Sequence, residues 1–169
     1  MQRYQTFWPR FIAAVIDGFV MWPVGFILNY LTDSNIGIIV IIGNLLNNIS
    51  PYIYSILLHS RNGQTLGKMA MKVRVVDVNT EENIDLRQAF LRDCVPITLM
   101  IVLFTYSFIL LSGRDDFNIS IDFVTLAPIF FIGLLSSTWT LLEIFSMLLN
   151  EKSRAVHDII ARTVVVKTN

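Results

Sequence analysis

Four stretches of this chain are apolar for long enough to cross a lipid bilayer, and nothing else limits its fold as strongly. A membrane-spanning helix needs about 20 consecutive apolar residues, and the runs at 11–32, 36–58, roughly 90–111 and 123–149 supply them. The chain has 169 residues, 54% of them hydrophobic, and a mean hydropathy of +0.60. What lies outside the membrane is too little to enclose a large soluble core. Backbone polar groups in lipid must be satisfied within the segment, so the four runs are read as α-helices. The whole chain, 1–169, reads as one domain.

The first run carries Arg10 at its entrance and Asp17 inside it. Insertion still wins. Eleven Phe, Ile, Leu and Val residues at about −0.3 to −0.6 kcal/mol each outweigh one central Asp at roughly +2.5 to +3.5. An ionisable group in a span faces a partner or a wet cavity. Ala13, Ala14, Gly18, Met21 and Gly25 recur around Asp17 at helical spacing, and small residues mark the face where another helix comes close. The second run offers a polar stripe, with Asn44, Asn47, Asn48, Pro51 and Ser55 on one side of a 3.6-residue period. Asp17 lies about 9 Å above the inner end of its helix at 1.5 Å per residue. The matching level on the second helix is near Tyr52, so Asp17 is expected to face the stripe. Buried amides usually tie membrane helices together; lining a pathway is the alternative. Glu143 sits at the same depth in the fourth run. The two carboxylates share a proton, sandwich a cation or each take an arginine from the rim.

Orientation follows from Lys and Arg, which collect on the cytoplasmic side. Of the thirteen basic residues, all but Arg114 fall in the N-terminal arm, the 59–92 segment or the tail after 150. Both termini are therefore predicted to be cytoplasmic, and the first run is an uncleaved span because it is too long and lacks a cleavage site. Cys94 is alone, which excludes an internal disulfide. With only His59 and His157 and no cysteine cluster, no metal site is expected. Zero net charge points to no nucleic-acid partner.

In the cytoplasmic segment 59–89, Gly63-Gln64-Thr65-Leu66-Gly67-Lys68 fails as a phosphate loop. Its glycines are one residue too close, no Ser or Thr follows Lys68, and no strand precedes it. Lys72–Asp77 alternates like a short strand, and Thr163–Val166 is the only other strand-like run in the soluble part. Two lone strands on one side of a membrane should pair, which predicts a small ladder of about 72–77 with 163–167. Residues 79–83 read as a turn, and Asp85 as the cap of the helix through Arg87 and Arg92 into the third span. The external loop 112–122 carries Asp115, Asp116 and Asp122, and its Asn118-Ile119-Ser120 is a glycosylation site only in a secretory pathway. The tail 150–169 contains a short interfacial helix whose Ile159 and Ile160 face the membrane. His157 and Asp158 are adjacent, and adjacent helical residues do not face each other, so a structural role is expected for His157. The fold class is thus an all-α, four-helix transmembrane bundle with a small cytoplasmic β ladder and a short C-terminal interfacial helix.

Arg10 with Ile16-Asp17, the Gly63–Lys68 run with Val73–Asp77, Arg92, and Arg154 with His157-Asp158, Ala161 and Thr163 resemble, in this order, the RDD family of membrane proteins. The likeness covers nearly the whole chain. The family is named for one Arg and two Asp, which by motif fall on Arg10, Asp17 and Asp158. Two departures stand out: the 79–83 turn lacks the glycine common in the family, and Arg162 stands where Gly is expected before Thr163. The resemblance implies transport of an unidentified ligand, sodium/proton antiport in some members, or partnership with membrane proteases and quality-control machinery. Fold likeness alone does not choose among these.

Three function classes follow. In the favoured one, Arg10, Asp17 and Asp158, with Arg92, Glu143 and Arg154, form an ion network at the cytoplasmic end. The network fastens the soluble segments to the bundle, and the protein is a scaffold or regulatory partner of another membrane protein, or forms a homo-oligomer. In the alternative, Asp17 and Glu143 with the Asn44/Asn47/Asn48/Ser55 stripe bind a sodium ion or proton for transport. An enzyme is not expected, since no nucleophile–base spacing or cofactor fingerprint is present, and no cofactor is implied. The membrane is expected to be a bacterial plasma membrane.

Overall fold

A computed structural model describes residues 2–32, 37–112 and 123–168. Four long helices, α1 (Phe7–Thr32), α2 (Gly37–Asn62), α4 (Leu86–Ser112) and α5 (Phe123–Leu149), match the four apolar runs. Each is long and apolar enough to cross a membrane. Phe19, Trp22, Phe26, Phe130 and Phe131 are among the large side chains left exposed around them, as a lipid-facing surface requires. Pro23, Pro51, Pro96 and Pro128 lie inside helices that remain unbroken. The helices run past the apolar stretches at the end that carries Arg10, His59 and Arg92. The turn expected at 33–35 and, apart from Ser112, the acidic loop expected at 112–122 with its Asn118 lie outside the described residues.

Packing follows chain order. α1 packs on α2 and α2 on α4 extensively, α5 meets α4 more sparsely, and among the described residues no extended packing returns from α5 to α1. The largest fully buried side chains lie outside the four long helices, at the end shared by both chain termini. There β1 (Val73–Asp77) pairs with β2 (Thr163–Lys167) as an antiparallel ladder, from Val73 opposite Lys167 to Asp77 opposite Thr163. Strand alternation sends Val73, Val75 and Val165 to one face, against Ile84, Ala89 and Ile56 of α2. Val76, Val164 and Val166 fill the other face, under Tyr4 of the short 3₁₀ turn Gln2–Tyr4. Both faces of a two-stranded ladder are thus covered, which such a ladder needs in order to persist.

Three joints fix the ladder to the helices. Gly63 ends α2 with a φ of +68°, and its carbonyl accepts the Val75 N–H at 2.8 Å. Asp85 caps α4: its Oδ1 accepts the Gln88 N–H at 2.6 Å, and Gln88 Oε1 accepts the Asp85 N–H in return. The tail forms a single turn, α6 (Val156–Ile160), before β2. Ile159 and Ile160 are exposed there, turned away from the protein core.

Candidate functional site

Beneath the ladder, α1, α4, α5 and α6 converge on one carboxylate. Asp158 sits in the first turn of α6 and reaches back to accept the Ala155 N–H at 3.0 Å. Its two oxygens also take one guanidinium each, Arg10 of α1 and Arg92 of α4, both at 2.7 Å. The Asp158 side chain is 0% exposed, and Arg10 and Arg92 are 8% and 4% exposed. Burial pushes the Asp158 carboxyl up, but the Arg10 and Arg92 guanidiniums win and hold it well below the usual carboxylate range. Thr163 completes the enclosure, accepting from Arg92 at 2.9 Å.

His157 draws the fourth span into the cluster. Nη2 of Arg10 lies 3.2 Å and Nη2 of Arg92 3.1 Å from its Nε2. A guanidinium only donates, so Nε2 accepts and the ring proton sits on Nδ1, which donates to Glu143 Oε1 at 2.5 Å. Nε2 also lies 3.3 Å from Asp158 Oδ1, so these neighbours do meet, contrary to the helical expectation. α6 is only one turn long, and their side chains converge on the same two guanidiniums. Arg154 takes a different place from the one expected. It donates to the backbone carbonyls of Thr163 and Asp158, at 3.0 and 3.1 Å, and holds the tail rather than the carboxylate.

Asp17 does not join this network, which corrects the sequence expectation. It also turns away from the amide stripe. Its Oδ1 accepts the Tyr54 hydroxyl at 2.7 Å and the Gly67 N–H at 2.8 Å, and its Oδ2 accepts the Thr65 hydroxyl at 2.6 Å. Thr65 is the N-cap of the short helix α3 (Leu66–Ala70). The carboxylate of α1 therefore occupies the N-terminus of α3, where free N–H groups favour an anion. A Cβ on Gly67 would lie 2.1 Å from the Ala13 carbonyl oxygen, so the approach needs glycine. The sequence carried one sign of this seat, a Thr two residues before a Gly in a run that fails as a phosphate loop.

A third chain of contacts was not foreseen. His59 Nδ1 faces the Ser55 carbonyl at 2.7 Å and so carries the ring proton, leaving Nε2 to accept from Lys68 Nζ at 2.6 Å. The Ser55 hydroxyl donates to Asp93 at 2.8 Å. Withdrawal from water pushes Lys68 well below the ordinary lysine value. Arg92 and Arg10 add to that shift, and Asp158 and Asp93 oppose it.

The amide stripe divides. Asn47 donates to Asn29 of α1 at 2.8 Å. Asn44 and Asn48 donate to carbonyls of their own helix and line a cavity of about 250 Å³ against Met100, Ser107 and Phe108. Asn48 continues into a second cavity of about 340 Å³, with Tyr52, Ser136 and Thr140. Glu143 lies beyond Thr140 on α5. Asp17 lines neither cavity. Among the described residues no group of three metal-ligating side chains comes together.

The chain matches the RDD family over residues 4–162. No curated protein matches it, and no solved structure does. The family match takes in Arg10, Asp17, Arg92 and Asp158, and its four helices can each span a bilayer. This chain belongs to the RDD family of membrane proteins.

Proposed function

We propose that this protein is a membrane scaffold or regulatory partner, in which a sealed ion cluster holds the ladder rigidly on the span ends for another membrane protein to dock against. The observation that carries the reading is the enclosure of Asp158 between Arg10 and Arg92, with His157 and Glu143 closing the ring. Every charge in it is spent on joining elements distant in the chain, and Asp17 is likewise satisfied by three donors. A group fully engaged in this way is poorly placed to exchange a transported ion. In this reading the side that carries the basic residues is cytoplasmic, and the membrane is a bacterial plasma membrane. Cross-linking in native membranes followed by purification should recover one stoichiometric partner. Recovery of homo-oligomers alone would count against the scaffold reading.

A second reading, cation or proton transport, is favoured by one observation: two largely apolar cavities between α2, α4 and α5 share Asn48 and carry Asn44, Ser136 and Thr140, and Thr140 stands about one turn from Glu143 on α5. In this reading Glu143 carries the ion and Asp17 is structural. Purified protein in liposomes decides it. Sodium- or pH-driven flux that Glu143→Gln abolishes supports transport, and no flux above empty liposomes removes it.

A further inference from the structure

Two cavities meet at Lys167, and their linings differ in kind. One, about 410 Å³, lies at the seam between the start of α1 and the end of α5, against Phe7, Trp8, Met147 and Leu148. The other, about 650 Å³, lies along the ladder and is lined by Arg3, Arg74 and Glu81. Lys167 borders both. The apolar half belongs to helices that span the membrane and lack extended packing on each other, so it opens on lipid. In the basic half, Arg3 is already paired with Glu81 at 3.1 Å. Arg74 borders the groove and pairs with no carboxylate among the described residues; its buried Nε, which has no acceptor among them, lies on the Gly63 side. Gly63 leaves room for it, since a Cβ there would stand 3.1 Å from Arg74 Cγ and Nε.

We propose that this seam holds one anionic glycerophospholipid, with its phosphate on Arg74 and Lys167 and an acyl chain along Phe7, Trp8, Met147 and Leu148. A guanidinium that borders a groove and has no carboxylate partner suits a phosphate, with a lysine beside it to share the charge. Only a lipid carries that phosphate and a hydrocarbon chain together across the boundary where Lys167 stands. The proposal is independent of whether the protein scaffolds or transports.

The test is native mass spectrometry of the full chain in detergent, with phosphatidylglycerol and phosphatidylcholine of identical acyl chains. One phosphatidylglycerol should be retained in preference to phosphatidylcholine. Arg74→Gln and Lys167→Gln should each weaken retention about fivefold, and the pair on the order of 20-fold. Arg87→Gln, an exposed charge removed from α4, should leave retention unchanged. Lys167→Gln lies at the exposed end of β2 and keeps the test available if the Arg74 variant does not fold. Equal retention of the two lipids, or an equal loss with Arg87→Gln, overturns the proposal. So does displacement of the lipid by millimolar inorganic phosphate, which would assign the basic groove to a free anion.

Discussion

At the scale of single residues, two carboxylates in one small protein are stabilised in different ways, and the difference can be measured. Among the described residues, Asp17 is held by three hydrogen-bond donors and no formal cation within bonding distance. Asp17→Asn replaces one acceptor oxygen with an NH₂ that must face a hydroxyl or N–H donor. A buried donor left without an acceptor costs about 1–3 kcal/mol, and chemical unfolding in detergent should show a loss of that size. Gly67→Ala should cost about 3 kcal/mol or abolish folding, because its Cβ meets Ala13 backbone rather than a movable side chain. Asp158 is held by charge, so its contribution depends on pH. Its folded pKa lies well below the unfolded value of 3.8. The stabilisation is therefore fully present above about pH 4 and is lost as pH falls through the folded value. Melting temperature in detergent should drop steeply in that acid range. Asp158→Asn should be less stable at neutral pH by about 3–5 kcal/mol and show a shallower acid decline.

At the scale of elements, the two family departures in turn sequence prove to be places of backbone strain. Glu81 has a φ of +56° and Arg162 a φ of +55°, the left-handed region where a side chain costs about 1–2 kcal/mol. Arg162 is exposed, and among the described residues only its backbone is engaged. Arg162→Gly should therefore raise stability by about 0.5–1 kcal/mol, after allowing for the freedom glycine adds to the unfolded chain. Glu81→Gly makes the poorer test, because it also removes the contacts with Arg3 and Tyr4. Elements were the legible part of this sequence. Span lengths follow from hydropathy, the ladder from two valine-rich runs, and the start of α4 from Asp85. Facing was not legible. Counting residues gave Asp17 the right depth on α2, but a helix turns about 100° per residue. Tyr54, which Asp17 meets, therefore lies roughly 200° around from Tyr52. The amide stripe is wide enough that Asn47 turns to α1 while Asn44 and Asn48 turn to the α4 side. α3 escaped notice because five residues carry no repeat, and its start is set by a carboxylate from another helix.

At the scale of the whole molecule, stability is uneven, and this sets what should move first. The fully buried core is the ladder, and α1, α2 and α4 pack on one another in sequence. α5 leans on α4 more sparsely and is tied to the rest through α6, above all by Glu143 on His157. In lipid no hydrophobic force draws one apolar helix to the next, so a polar tie at the span end matters more than apolar area along it. Glu143→Ala removes that tie and leaves His157 Nδ1 without its acceptor, while the Arg10–Asp158–Arg92 grip remains. A hydrogen bond to a charged group contributes about 1.5–3 kcal/mol. Amide exchange at 146–155 should accordingly quicken by roughly 10- to 100-fold, with Val73–Asp77 and Thr163–Lys167 unchanged. Arg92→Gln should do the reverse. It loosens the tail and ladder together, because Arg92 serves Asp158, Thr163 and His157 at once. If both variants raise exchange everywhere alike, the molecule opens as one unit, and the division into a firm cap and a loosely held fourth span fails.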